Sequence, residues 1–112
     1  MQPNNRMMIH PFLQEKLPAI NKLFSENHVK NAYAFGSVCT NKFNEHSDVD
    51  LLINMDEDLE PLVRGELMLN VWDALEEILS RRVDLLSEKS LTNPYFIEEL
   101  NEKKVLVYGK RS

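Results

Sequence analysis

Asp48, Asp50 and Asp84 are the residues best placed to do chemistry in this sequence. Asp48 and Asp50 sit one residue apart at the mouth of the apolar run VDLLI, and Asp84 has the same setting in RRVDLLS. Side chains alternate along a strand, so Asp48 and Asp50 point to one face. Carboxylates gathered together repel one another and resist desolvation. A divalent cation relieves both penalties. A few rigid carboxylate oxygens suit Mg²⁺ at about 2.0–2.1 Å, with water and phosphate in the remaining positions. Two such ions, about 3.5–4 Å apart, would activate an attacking oxygen and stabilise a leaving one. Upstream, Gly36 and Ser37 follow the apolar run VKNAYAF. Gly36 lets the backbone approach a ligand closely. The Ser37 hydroxyl and the free N–H groups of a short helix can hold a phosphate. Acids that bind metal beside a phosphate cradle point to phosphoryl or nucleotidyl transfer.

These residues meet only if the intervening elements bring them together. Leu13, Leu17, Ile20 and Phe24 form one face of a helix over residues 10–28, kinked or restarted at Pro18. Residues 29–35 read as a strand, and a short helical turn starts near Ser37 and ends around Phe43. Residues 49–53 are apolar enough for a strand buried on both faces, and the polar break MDED follows. Leu62, Leu69, Trp72, Leu75 and Leu79 mark a long amphipathic helix over 59–79, weakened at Gly65 by about 1 kcal/mol relative to Ala. Residues 81–87 form a third strand. Asn93 and Pro94 suit the N-cap and first position of another helix. Residues 105–108 close the chain as a short edge strand. The order αβαβαβα(β) predicts an α/β (α+β) domain around a small mixed sheet. The 59–79 helix lays strands two and three parallel, so Asp84 stands beside Asp50. The short 35–48 link makes strands one and two antiparallel, and Gly36-Ser37 arrives at the same end.

Composition narrows the function classes. With 43% hydrophobic residues in 112, the chain buries a real but modest core. Net charge is −5, which argues against strong non-specific nucleic-acid binding. No apolar stretch approaches the roughly 20 residues that span a bilayer, and the expectation is no membrane partner. One cysteine, Cys39, permits no internal disulfide, so a cytoplasmic, reducing compartment is expected.

Gly36-Ser37, ten intervening residues, then Asp48-x-Asp50 resembles the signature of the minimal nucleotidyltransferases, in the DNA polymerase β-like superfamily. The later V-D-L-L with Asp84 is similar to that family's third acid. The element order agrees from about residue 10 to 108. The resemblance implies a single nucleotidyltransferase domain over 1–112, with loose tails at both ends. It implies that Gly36 and Ser37 bind the triphosphate and that Asp48 and Asp50 ligate two Mg²⁺ ions. Asp84 would complete the second metal site and help deprotonate the acceptor hydroxyl. The reaction would move a nucleoside monophosphate, AMP from ATP, to that hydroxyl and release pyrophosphate. Small members of the family sit beside HEPN-domain proteins as toxin–antitoxin pairs, so a HEPN-like protein partner is implied. Relatives carry Gly and Arg after Gly-Ser, where this chain has VCTNKFNEH. Asn41 would take the left-handed conformation, and Lys42 is the one cation left to contact phosphate.

Plainer readings stand beside these. Gly36-Ser37 alone would be an ordinary turn, and Asp84 could pair with Arg81 or Arg82. His10, His28 and His46 match no zinc spacing and read as surface residues. Cys39 reads as a small buried filler and Trp72 as core. Arg81-Arg82 reads as a solvated helix end, Asp56-Glu57-Asp58 as a solvated helix start, and Tyr33 and Tyr95 as packing residues. The chain has no room for a separate acceptor-binding domain, so a partner, a second copy or a shallow surface must present the acceptor. The alternative is a non-catalytic antitoxin or binding subunit that neutralises a HEPN-type partner by contact, through the 59–79 helix or the last helix.

Overall fold

A computed structural model describes residues 8–111. The apolar face expected over 10–28 is divided between two helices, α1 (Pro11–Gln14) and α2 (Leu17–Glu26). Pro18 lies in the first turn of α2, where its missing N–H costs nothing. Four strands follow: β1 (Val29–Phe35), β2 (Val49–Met55), β3 (Val83–Ser87) and β4 (Val105–Tyr108). Between β2 and β3 runs α3 (Pro61–Leu79), and between β3 and β4 runs α4 (Pro94–Lys103). The Asn93 side chain accepts from the Tyr95 and Phe96 amides and caps α4 as expected. Ser80, in the left-handed region at φ 52°, ends α3.

The sheet order is β3-β2-β1-β4. β2 pairs antiparallel with β1 and parallel with β3, and β4 is an antiparallel edge. Val49, Leu51, Ile53, Val83 and Leu85 face the larger core, built with α1, α2 and α3. Tyr33 and Leu52 face a smaller core, with Leu100 of α4. Alternation therefore turns Asp50 and Asp84 toward the α4 side.

Three expectations need correction. β2 runs two residues past Ile53. Asn54 stays in the strand because its amide donates to Asn31 Oδ1 at 2.8 Å and Glu88 Oε1 at 2.6 Å. The acidic run thus follows β2, and α3 begins only at Pro61. There Asp56 lies 3.5 Å from His28, and Glu57 meets Lys30 and Lys89. The inward stripe of α3 is Val71, Leu75 and Leu79, with Trp72 partly buried; Leu62 and Leu69 are 77% and 63% exposed.

At Gly65 an added Cβ would meet nothing within 4 Å. Gly65→Ala is expected to stabilise the protein by about 0.5–1 kcal/mol through helix propensity and a less flexible unfolded chain. Urea denaturation measures this, and a lower midpoint in the variant would contradict it.

Candidate functional site

The parallel register sets Asp84 directly abreast of Asp50, with Val49 opposite Val83 and Leu51 opposite Leu85. On its other side Asp50 is abreast of Phe35, the last residue of β1. Gly36 follows at φ 76°, in the left-handed region, and opens a 3-10 turn over Gly36–Cys39. A side chain there would be strained, and its Cβ would collide with the Asp50 carboxylate. The turn is shorter than expected: Thr40 closes it with its N–H and hydroxyl on the Ser37 carbonyl, and Val38 and Cys39 are buried. Asp48, exposed, precedes β2 by one residue. The sheet thus delivers Gly36, Ser37, Asp48, Asp50 and Asp84 to one rim.

Electrostatics couples the acids. Burial, then the charges of Asp84 and Asp48, push the Asp50 carboxyl up to about 6. Burial and the Asp50 charge push the Cys39 thiol up to about 11, so Cys39 is a buried filler and no nucleophile. Neither Arg81 nor Arg82 pairs with Asp84 among the described residues. Lys42 is exposed on the loop and forms no ion pair among the described residues, and Asn41 beside it does not take the expected left-handed conformation.

In kind and place the acids suit a hard cation: the charges of Asp84 and Asp48 reach Asp50, whose raised pKa an opposite charge would relieve. In geometry they are not preassembled. No three His, Cys, Asp or Glu side chains among the described residues converge enough to share one ion.

The frame around the acids comes from residues read as ordinary. Trp72 Nε1 donates to the Val83 carbonyl at 2.7 Å, and the Val83 amide donates to Glu76 Oε2 at 2.9 Å. Side chains of α3 so satisfy the outer edge of β3 just where Asp84 begins. Arg81 is no solvated helix end. Its guanidinium donates to the carbonyls of Asn44 and Ser47 at 3.0 and 2.7 Å and lies over the Phe12 and Phe43 rings at 4.3 and 4.6 Å. It clasps the loop that carries Asp48. His10 caps α1, its Nδ1 accepting from the Phe12 amide, and its ring tilts against Phe43. Tyr33 packs in the core, whereas Tyr95 is 84% exposed and does not. No local sequence pattern announces the Arg81 hydrogen bonds, which span 34 to 37 residues. Arg81→Ala is expected to cost about 2–3 kcal/mol, from charge-assisted hydrogen bonds and ring contacts. Arg81→Lys should restore less than half, because an ammonium cannot lie flat on the Phe12 and Phe43 rings. Full rescue by Lys in urea denaturation would contradict this.

A mixed sheet that gathers a Gly-Ser turn and three acids at one rim, between flanking helices, has the organisation of a nucleotidyltransferase domain. The chain belongs to the family described as "Polymerase beta, Nucleotidyltransferase", whose model matches residues 18–112. A Methanocaldococcus jannaschii protein provisionally named protein adenylyltransferase MJ1379 is 32% identical over 96 residues, 85% of this chain and 94% of the relative. A solved structure provisionally named a minimal nucleotidyltransferase aligns with TM-score 0.66 at 31% identity, covering 88% of this chain and 95% of its own. One chain from a structure of a tri-AMPylated Shewanella oneidensis HEPN toxin in complex with MNT antitoxin shares the fold, with TM-score 0.56 at 23% identity. That match covers 87% of this chain and 72% of the other.

Proposed function

We propose that this chain transfers AMP from ATP to a hydroxyl on a HEPN-like partner protein, in a reaction that needs Mg²⁺. The observation that carries the proposal is the register placing Asp84 beside Asp50 with Gly36 on the opposite flank. The names of the relatives support the nucleotide and the partner: one is named as a protein adenylyltransferase, and another structure is of an AMPylated HEPN toxin in complex with MNT antitoxin.

In this reading the Gly36 backbone and the Ser37 hydroxyl hold the triphosphate, with Lys42 able to swing toward it. Asp48 and Asp50 hold the metal, and Asp84 completes the second metal position. When bound, Mg²⁺ supplies charge neutralisation at the transferring phosphoryl group. Asp84, on the β3 flank, accepts the proton of the acceptor hydroxyl. The hydroxyl oxygen bonds to the α-phosphorus, the bond to the bridging oxygen breaks, and pyrophosphate leaves. The single buried cysteine suits a reducing cytoplasm. Among the described residues no helix is long and apolar enough to cross a membrane.

The test is incubation with α-labelled ATP, Mg²⁺ and the protein encoded next to this chain. Label on that protein, lost on Asp48→Ala, Asp50→Ala or Asp84→Ala, is the expected result. No transfer when both proteins are folded would sink the proposal. A second reading has one observation behind it: Leu62 and Leu69 stand exposed on α3, as a contact surface would. On that reading the chain neutralises its partner by contact alone, and the triple alanine variant neutralises as well as the parent.

A further inference from the structure

Phe96, Glu99, Leu100 and Lys103 follow one another at i, i+3, i+4 and i+7, along one stripe of α4. With Phe35 and Gly36 they line a cleft of about 230 Å³. The same Gly36 abuts the Asp50 carboxylate. Gly36 thus stands between the cleft and the Asp50 carboxylate, and the strand order puts the cleft on the flank away from Asp84. On the nucleotidyl-transfer reading the acceptor comes in beside Asp84, which leaves this side for the rest of the nucleotide.

We propose that the cleft between α4 and the end of β1 receives the nucleobase of the nucleoside triphosphate. The inference rests on the nucleotidyl-transfer reading and adds the residues that hold the ring. Its size fits a ring rather than a whole nucleotide, being below the roughly 300 Å³ at which sites for complete ligands begin. Its walls are apolar where a ring would lie: Phe35 and Phe96 are half-buried, and Leu100 is buried. Its rim is polar where a base edge would emerge. Glu99 and Lys103 are exposed, 3.2 Å apart, and offer an acceptor and a donor. Aromatic stacking tolerates any base.

The test compares two probes, ATP and inorganic tripolyphosphate, each with Mg²⁺, by calorimetric titration of the full chain. Phe96→Ala is expected to weaken ATP binding about tenfold, the usual scale for one lost stack, and to leave tripolyphosphate unchanged. Phe96→Leu keeps apolar bulk in α4 and removes the π face, so it should give the same separation even where the alanine variant unfolds. Unchanged ATP binding in the folded leucine variant, or equal weakening of both probes, overturns the assignment. Failure of the parent chain to bind either probe overturns instead the reading on which it rests.

Discussion

Asp50→Asn is expected to abolish nucleotide transfer while making the metal-free protein more stable above pH 6. The two effects share one cause. Asp50 is the most enclosed of the three site acids, and burial, Asp84 and Asp48 hold its carboxyl at about 6 against an ordinary 3.8. The folded state thus binds the proton more tightly than the unfolded chain does. The stability this contributes is fully present below 3.8 and lost as pH rises through about 6. Taken whole, the displacement is worth about 3 kcal/mol. The carboxylate is partly exposed and screened by solvent, so on the order of 1 kcal/mol is expected. Asparagine keeps the shape and carries no charge, so the variant should be flat across that window while the parent declines. Bound Mg²⁺ should reverse the order at pH 7 to 8 by stabilising only the parent. Transfer in the variant should fall by about 10³-fold or more, several kcal/mol of lost charge stabilisation. Thermal denaturation at pH 5 and pH 8, with and without Mg²⁺, reads the stability arm. A variant less stable than the parent at pH 8 without metal would show that enclosure does not strain this carboxylate.

The gathering of these residues at one rim was readable because its parts are local. A Gly before a helical turn, two acids at strand spacing and an acid at the start of the next strand are short-range patterns. Link lengths then decide which strands run parallel, and hence that Asp84 stands by Asp50. The face of α3 was not readable in the same way. Apolar residues occur around much of that helix, so Leu62 and Leu69 fit an inward stripe as well as Val71 and Leu75 do. The sheet selects the second set. Arg81 and Asn54 mislead for another reason. A charged or amide side chain reads as solvated until its partners are known, and those partners come from elements far away in the chain. Asn54 stays in β2 because Asn31 and Glu88 receive its amide, and Arg81 turns inward because two carbonyls and two rings await it.

Lys104→Met is expected to cost about 3 kcal/mol of stability. Lys104 is a lysine with 8% exposure, lying along the sheet face that α4 covers. Its Nζ is 2.7 Å from Glu88 Oε2 and 4.2 Å from the centroid of the Tyr33 ring. Glu88 in turn accepts from Asn54, which donates to Asn31, whose amide donates to the Lys110 carbonyl at 2.7 Å. This polar chain links the segments after β3 and before β4 to the middle strands. Removing the ammonium leaves a partly buried carboxylate with one partner fewer, and breaking a buried pair from one side typically costs 3–5 kcal/mol. The somewhat more open carboxylate places the cost at the lower end. The double variant Lys104→Met with Glu88→Gln should recover more than 1 kcal/mol of the loss, because no uncompensated charge remains. pH gives a separate check. Burial works to raise the Glu88 carboxyl, but hydrogen bonds from Asn54 and Lys104 and the lysine charge outweigh it and hold it below its ordinary 4.5. Its stabilisation is therefore present above 4.5 and lost as pH falls through the lowered value. Acid unfolding should begin at higher pH in Lys104→Met than in the parent, and an unchanged acid midpoint would show that the pair contributes nothing to the fold. Because α4 reaches β4 through Lys104, loosening this pair should also weaken ATP binding while sparing tripolyphosphate, the separation expected of Phe96→Leu.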